Sequence, residues 1–111
     1  DRKKDMIIPG GVNVYPAEVE AVIDAHPDVH DVAVIGVPSD EWGESVHAIV
    51  VPHAGRTLDA AQVVEWSRAH LAGFKVPRSV SFAQEIPRNA SGKILKKVLR
   101  EPWWAGRPSR V

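Results

Sequence analysis

Apolar and polar residues alternate along this chain in stretches short enough to name its elements one by one. Met6-Ile7-Ile8 and Val12-Asn13-Val14 flank Pro9-Gly10-Gly11, which predicts two short strands joined by a tight turn. Pro16 suits the first position of a helix, with Glu18 and Glu20 near its positive end. Val19, Val22 and Ile23 give that helix an apolar stripe, and Pro27 stops it. From Val29 to Val37 the residues are largely β-branched, the composition of a buried strand. Pro38 to Glu44 reads as a loop and Val46 to Val51 as a second strand, ended by Pro52. A loop of that length predicts antiparallel pairing.

Helical spacing returns at Ala60, Val63, Val64, Ser67 and Leu71. Thr57 is the expected cap, with Asp59 in the first turn and Gly73 as the stop. Phe74 to Pro77 connects to a third strand over Ser79 to Phe82. Behind Lys93, residues Ile94, Leu95, Val98 and Leu99 fall on one helical face, which turns Lys96, Lys97 and Arg100 to water. Trp103 and Trp104 are expected to fold back on the domain or onto a neighbour. The pattern implies an α+β fold: a small central three-stranded, mainly antiparallel sheet flanked by helices, plus an N-terminal two-stranded hairpin.

Composition removes several function classes. The 111 residues suit one small domain, and 44% hydrophobic with 25% charged residues is ordinary for a globular chain. Fourteen basic and fourteen acidic side chains cancel, so no global field draws the chain to nucleic acid or an anionic membrane. The absence of cysteine excludes disulfides and thiolate chemistry and agrees with a cytoplasmic setting. No apolar run is long enough for a membrane span. His26 and His30 are four apart, but Pro27 lies between them and spoils the helical ligand geometry; no metal site is expected. The first residue is not Met and lies in the charged run Asp1 to Asp5, which reads as a cut from a longer polypeptide.

The stretch Pro87-Arg88-Asn89-Ala90-Ser91-Gly92-Lys93 carries the candidate chemistry. Turn-forming Asn89 and Ser91 and the permissive Gly92 make a small, flexible, polar loop that ends in one lysine. An ammonium on a flexible stem above an anchored base can meet an oxyanion or phosphate in one step and leave it in the next. A nucleotide-binding P-loop is excluded, because Pro87 stands where that pattern needs glycine and Ile94 where it needs Ser or Thr. Asn89-Ala90-Ser91 formally matches a glycosylation acceptor, but no secretory signal accompanies it.

Three segments in this order, Asp1 to Ile7, Gly10 to Glu20 and Pro87 to Lys93, resemble the C-terminal domain of adenylate-forming enzymes. These are acyl- and aryl-CoA synthetases, adenylation domains of peptide synthetases, and beetle luciferases. The resemblance spans essentially all of residues 1–111, and the opening run with Tyr15-Pro16-Ala17-Glu18 is most like fatty-acid–CoA ligases. It implies a domain that begins at a hinge and works with its own larger N-terminal domain. The substrates would be a carboxylic, here fatty, acid, ATP with Mg2+ held mainly by the larger domain, and coenzyme A. An acyl-adenylate forms first, and the thiol then displaces AMP.

Residue by residue, the resemblance implies that Lys93 is the adenylation lysine, Arg2 a nucleotide contact and Lys4 the hinge. It implies that Gly10, Gly11 and Asn13 lie on the coenzyme A side. Ile8 stands where some relatives have a second lysine, so no catalytic cation is assigned to the hairpin. Asp40, Gly43 and Glu44 match a family loop and are read as structural. The alternatives are an aryl-CoA ligase, a peptide-synthetase adenylation domain that hands its adenylate to a carrier protein, or a non-catalytic anion-binding module. The last would use Arg2, Lys3 and Lys4 with Lys96, Lys97 and Arg100; the neutral net charge and the lack of interleaved aromatics oppose it.

Overall fold

A β-bulge near the start of the first strand decides which residues face which layer. In the computed structural model, which describes residues 5–107, β1 is Val29–Ser39 and β2 is Gly43–Pro52. They pair antiparallel, and the register shifts by one residue between Val29 and Asp31, leaving His30 as the extra residue. The shift lets Val29 share a face with Val32 and Val34, while Asp31 joins the face of Ala33, Ile35 and Val37. Both faces of the sheet are covered, which is why the strands read as nearly continuous apolar runs.

The third strand, β3 (Ser79–Phe82), pairs with β2 in parallel, so the sheet has three strands in the order β1-β2-β3. A parallel neighbour needs a crossover, and α2 (Ala60–His70) provides it. The sheet is therefore mixed, with the longer pairing antiparallel as the pattern of the sequence implies.

One face packs against α1 (Pro16–Asp24) and α2 through Val19, Ile23 and Val63. The hairpin docks on the same cluster. Ile7 and Val14 exchange both backbone hydrogen bonds, at 2.9 and 2.8 Å, and a 3-10 turn over Pro9–Gly11 joins them. One such pair alone would be marginal in water. Both side chains are completely buried, however, and each such burial is worth roughly 1.5–3 kcal/mol, which holds the hairpin in place.

The cap of α2 is Asp59, not Thr57. Asp59 Oδ1 accepts from the Gln62 N–H at 2.8 Å, and Gln62 Oε1 accepts from the Asp59 N–H at 2.8 Å. Leu58 and Val63 flank this reciprocal cap in the same core cluster, so burial of Leu58 sets the entry point two residues later than the hydroxyl of Thr57 suggests. The helix also stops earlier, at His70; Gly73 instead opens a 3-10 turn, Gly73–Lys75.

The opposite face of the sheet is covered by the C-terminal segment through Ile86, Ile94 and Leu99. Here two expectations fail. The last helix, α3 (Lys96–Trp104), starts three residues past Lys93, because Ile94 pairs with Arg88 in an antiparallel bridge and the Leu95 N–H reaches the Pro87 carbonyl at 2.9 Å. Lys96 and Arg100 also turn inward, whereas Val98 is half exposed. Lys96 pairs with Glu20 at 2.8 Å and Arg100 with Asp5 at 3.0 Å, so acidic groups under the helix, not its apolar count, set its rotation. Lys97 is exposed as expected. The tryptophans fold back: Trp104 Nε1 donates to the Gly36 carbonyl at 3.0 Å, and the Trp103 ring lies 4.6 Å from the His47 ring. Among the described residues, no helix is long and apolar enough to cross a membrane.

Candidate functional site

The loop before Lys93 is held by its own polar groups. Asn89 Oδ1 accepts from the backbone N–H of Ser91 at 2.9 Å and of Lys93 at 3.0 Å. The Asn89 N–H donates to the Lys93 carbonyl and its C=O accepts from the Gly92 N–H, both at 2.9 Å. Gly92 sits at φ +85°, a region that a residue with a Cβ rarely adopts. The sequence predicts a flexible loop; the hydrogen bonds leave flexibility to the lysine stem instead.

Lys93 is exposed, and among the described residues its ammonium has no hydrogen-bond or ion-pair partner. Its cationic neighbours differ. Arg88 is paired with Asp31, Lys96 with Glu20 and Arg100 with Asp5. Among the described residues, Lys93 and the exposed Lys97 are the cations of this segment without an acid partner, and of these Lys93 stands on the braced loop. It lines a shallow depression of about 510 Å³ together with Asp5, Glu20, Arg88 and Lys96.

The hairpin forms a separate surface. Gly10 and Gly11 lie at φ +60° and +88°, so the turn itself demands glycine. The Gly10 N–H donates to the Trp42 carbonyl at 3.0 Å, and the Ile8 N–H donates to Glu44 Oε1 at 2.8 Å. Glu44 thus does the structural work expected of its loop. Pro9, Gly10, Trp42, Phe74 and Arg78 line a groove of about 180 Å³, with the Arg78 guanidinium 3.7 Å from the centre of the Trp42 ring. Asn13 is exposed nearby in sequence. Gly10 and Lys93 line different depressions. Arg2 and Lys4 lie outside the described residues.

Sequence reasoning missed the aromatic-cationic groove, the Arg88–Asp31 pair and a buried histidine. His47 is bracketed by Ser79 Oγ at 2.7 Å and Ser81 Oγ at 2.8 Å, and burial pushes its imidazole down to about 4. The alternation of Ser79 and Ser81 in β3 is the signal that could have pointed to a polar partner on that face.

Comparison with known proteins decides the lineage. The AMP-binding enzyme C-terminal domain family matches residues 18–93, ending on the lysine of the braced loop. The chain belongs to this family. It is 54% identical over 108 residues, 97% of this chain and 21% of the relative, to long-chain-fatty-acid–CoA ligase FadD13 of Mycobacterium tuberculosis. It is 52% identical over 100 residues, 90% of this chain and 20% of the relative, to feruloyl-CoA synthase of Amycolatopsis sp. Among solved structures, it superposes on a Mycobacterium tuberculosis fatty acyl CoA synthetase with TM-score 0.87 at 54% identity, covering 97% of this chain and 21% of that one. ATP-bound MatB from Rhodopseudomonas palustris gives TM-score 0.87 at 50% identity, covering 92% of this chain and 20% of that one. This AMP-binding C-terminal domain spans about a fifth of the length of the relatives it matches.

Proposed function

We propose that residues 1–111 are the mobile C-terminal domain of an AMP-forming acyl-CoA ligase of the fatty-acid type, acting in the cytoplasm with a larger N-terminal domain. In this reading the domain begins at its hinge, Lys4, and Arg2 contacts the nucleotide. The exposed ammonium of Lys93, unpaired among the described residues and standing on a hydrogen-bonded loop, carries the proposal.

In the first half-reaction a carboxylate oxygen attacks the α-phosphorus of ATP and the bond to pyrophosphate breaks. Lys93 bridges the attacking carboxylate and the α-phosphate, offsetting charge as the five-coordinate centre forms. It moves no proton; its work is positioning and electrostatic stabilisation. Mg2+ would accompany the nucleotide, held mainly by the larger domain, and would offset phosphate charge there.

In the second half-reaction the thiol sulfur of coenzyme A attacks the acyl carbon, the bond to AMP breaks and the thiol proton is lost. Gly10 and Gly11 leave room for the pantetheine arm, and Asn13 lies beside it. The adjoining groove of Trp42, Phe74 and Arg78 has the stacking face and the cation that a phosphorylated nucleotide end requires. Gly10 and Lys93 line different depressions, which supports the reading that the domain turns between the two steps.

The relatives act on chemically different acids, with feruloyl-CoA synthase nearly as similar as the fatty-acid ligase. An aryl-CoA ligase is therefore the second reading, and pyrophosphate exchange with a panel of carboxylic acids separates the two. The role of Lys93 is tested in the intact ligase. Lys93→Ala should lower adenylation by at least about 10²-fold while thioester formation from supplied acyl-adenylate stays within about twofold. Equal loss of both half-reactions would refute the assignment.

A further inference from the structure

We infer that Arg88 is a positioning residue for Lys93, tying the peptide on which the lysine stands to the central sheet through Asp31. The inference rests on the reading of Lys93 as the adenylation lysine and goes beyond it to what aims that side chain.

One guanidinium makes both connections. Arg88 Nη1 donates to the Gly92 carbonyl at 2.9 Å, and Nη2 donates to Asp31 Oδ1 and Oδ2 at 2.7 and 2.8 Å. Asp31 stands on β1 just past the bulge, whose register shift places it on the face covered by the C-terminal segment. Asp31 Oδ1 also accepts from the Val32 N–H at 2.9 Å, so the carboxylate is itself held.

The geometry at Lys93 explains what this achieves. The Gly92 carbonyl and the Lys93 N–H are the two ends of one peptide group. Arg88 grips the carbonyl, and Asn89 Oδ1 accepts from the N–H at 3.0 Å. The Asn89 N–H holds the Lys93 carbonyl beyond it at 2.9 Å. The plane before Lys93 is thus fixed from both sides, and with it the direction of the Cα–Cβ bond that launches the side chain. Gly92, at φ +85°, could otherwise let that peptide turn over, because glycine has several backbone wells of similar energy.

The Arg88–Asp31 pair is partly exposed, with side-chain accessibilities of 38% and 25%, and pairs of that kind add little to stability. Its effect is expected in catalysis, where displacing a charged group by about 1 Å can cost about 10²-fold. Lysine at position 88 could reach the carbonyl or the carboxylate but lacks the planar fork that takes both.

The test uses the intact ligase and measures pyrophosphate exchange and thioester formation from supplied acyl-adenylate. Arg88→Met should lower the adenylation kcat by about 10–100-fold, with KM for ATP and the thioester rate each within about twofold. Arg88→Lys should fall between it and the parent. Asp31→Asn, which keeps an oxygen for the Val32 N–H but loses the charge that holds Arg88, should lower adenylation by about 3–10-fold. If Arg88→Met does not fold, Asp31→Asn is read by the same criteria. Lys93→Ala run in parallel separates the two readings: adenylation lost with Lys93→Ala but intact in the Arg88 and Asp31 variants overturns the positioning role alone. Equal loss of both half-reactions in the Arg88 and Asp31 variants, with a lowered Tm, would assign these residues to folding and also overturn it. Undiminished adenylation in Lys93→Ala would overturn the underlying reading.

Discussion

Glu20→Ala should be among the most damaging substitutions on the surface of α1, although composition alone would call Glu20 an ordinary helix-start acid. Its Oε2 accepts from Lys96 Nζ at 2.8 Å and from the Val34 N–H at 2.9 Å. Lys96 is only 8% exposed and β1 is an outer strand, so Glu20 offsets a buried ammonium and satisfies a sheet-edge donor at once. Truncation leaves both without that partner. Breaking a buried ion pair from one side costs about 3–5 kcal/mol. The orphaned N–H would add about 1–3 kcal/mol in a dry site, but the Glu20 side chain is 18% exposed and water can reach part of the gap. The expected loss is therefore about 3–4 kcal/mol, a large share of the roughly 5–15 kcal/mol that holds a domain together. Urea unfolding of this chain at pH 7, followed by far-UV circular dichroism, should show it as a lower midpoint at unchanged slope. Glu20→Gln keeps an acceptor and should lose about half as much. The decisive variant is the double one. Adding Lys96→Met to Glu20→Ala removes the stranded charge and should restore about 1–2 kcal/mol, because apolar replacement of a buried pair is often neutral. A Glu20→Ala loss below about 1 kcal/mol, or a double variant weaker than the single, would refute the reasoning.

Two further perturbations probe other parts of the domain. Burial lowers the His47 pKa from 6.5 to about 4, so between those values the folded chain binds fewer protons than the unfolded one and stability falls as pH drops through that window, by up to about 3 kcal/mol. Urea midpoints from pH 7 to 4 should show this slope, and His47→Gln should flatten it; an unchanged slope assigns the effect to other groups. Gly10→Ala forces a side chain to φ +60°, with its Cβ 3.9 Å from the Trp42 ring, which costs roughly 1–2 kcal/mol. In the intact ligase it should slow thioester formation more than adenylation, and the reverse order would count against the coenzyme A side of the hairpin.

What the sequence reveals and what it conceals divide along the distance between partners. Val32 to Val37 and Val46 to Val51 declare buried strands because each residue's own shape and polarity carry the information. The Asn89 turn and the positive-φ position at Gly92 are equally legible, since every group that braces the loop internally lies within five residues. The inward turn of Lys96 and Arg100 is hidden for the opposite reason. Their carboxylates, Glu20 and Asp5, stand far earlier in the chain, and no periodicity within α3 can show that acids lie beneath it. Arg88 belongs to the same hidden class, with a partner 57 residues away across a bulge that only the folded sheet exposes. This contrast bears on Lys93 itself. On α3, Lys96 is carried into reach of an acid that neutralises it, whereas Lys97 stays exposed on the outer side. The hydrogen-bonded turn ahead of the helix holds the Lys93 backbone at the rim of that surface, where its ammonium has no acid partner among the described residues, and in the proposed function that leaves it available to an incoming anion.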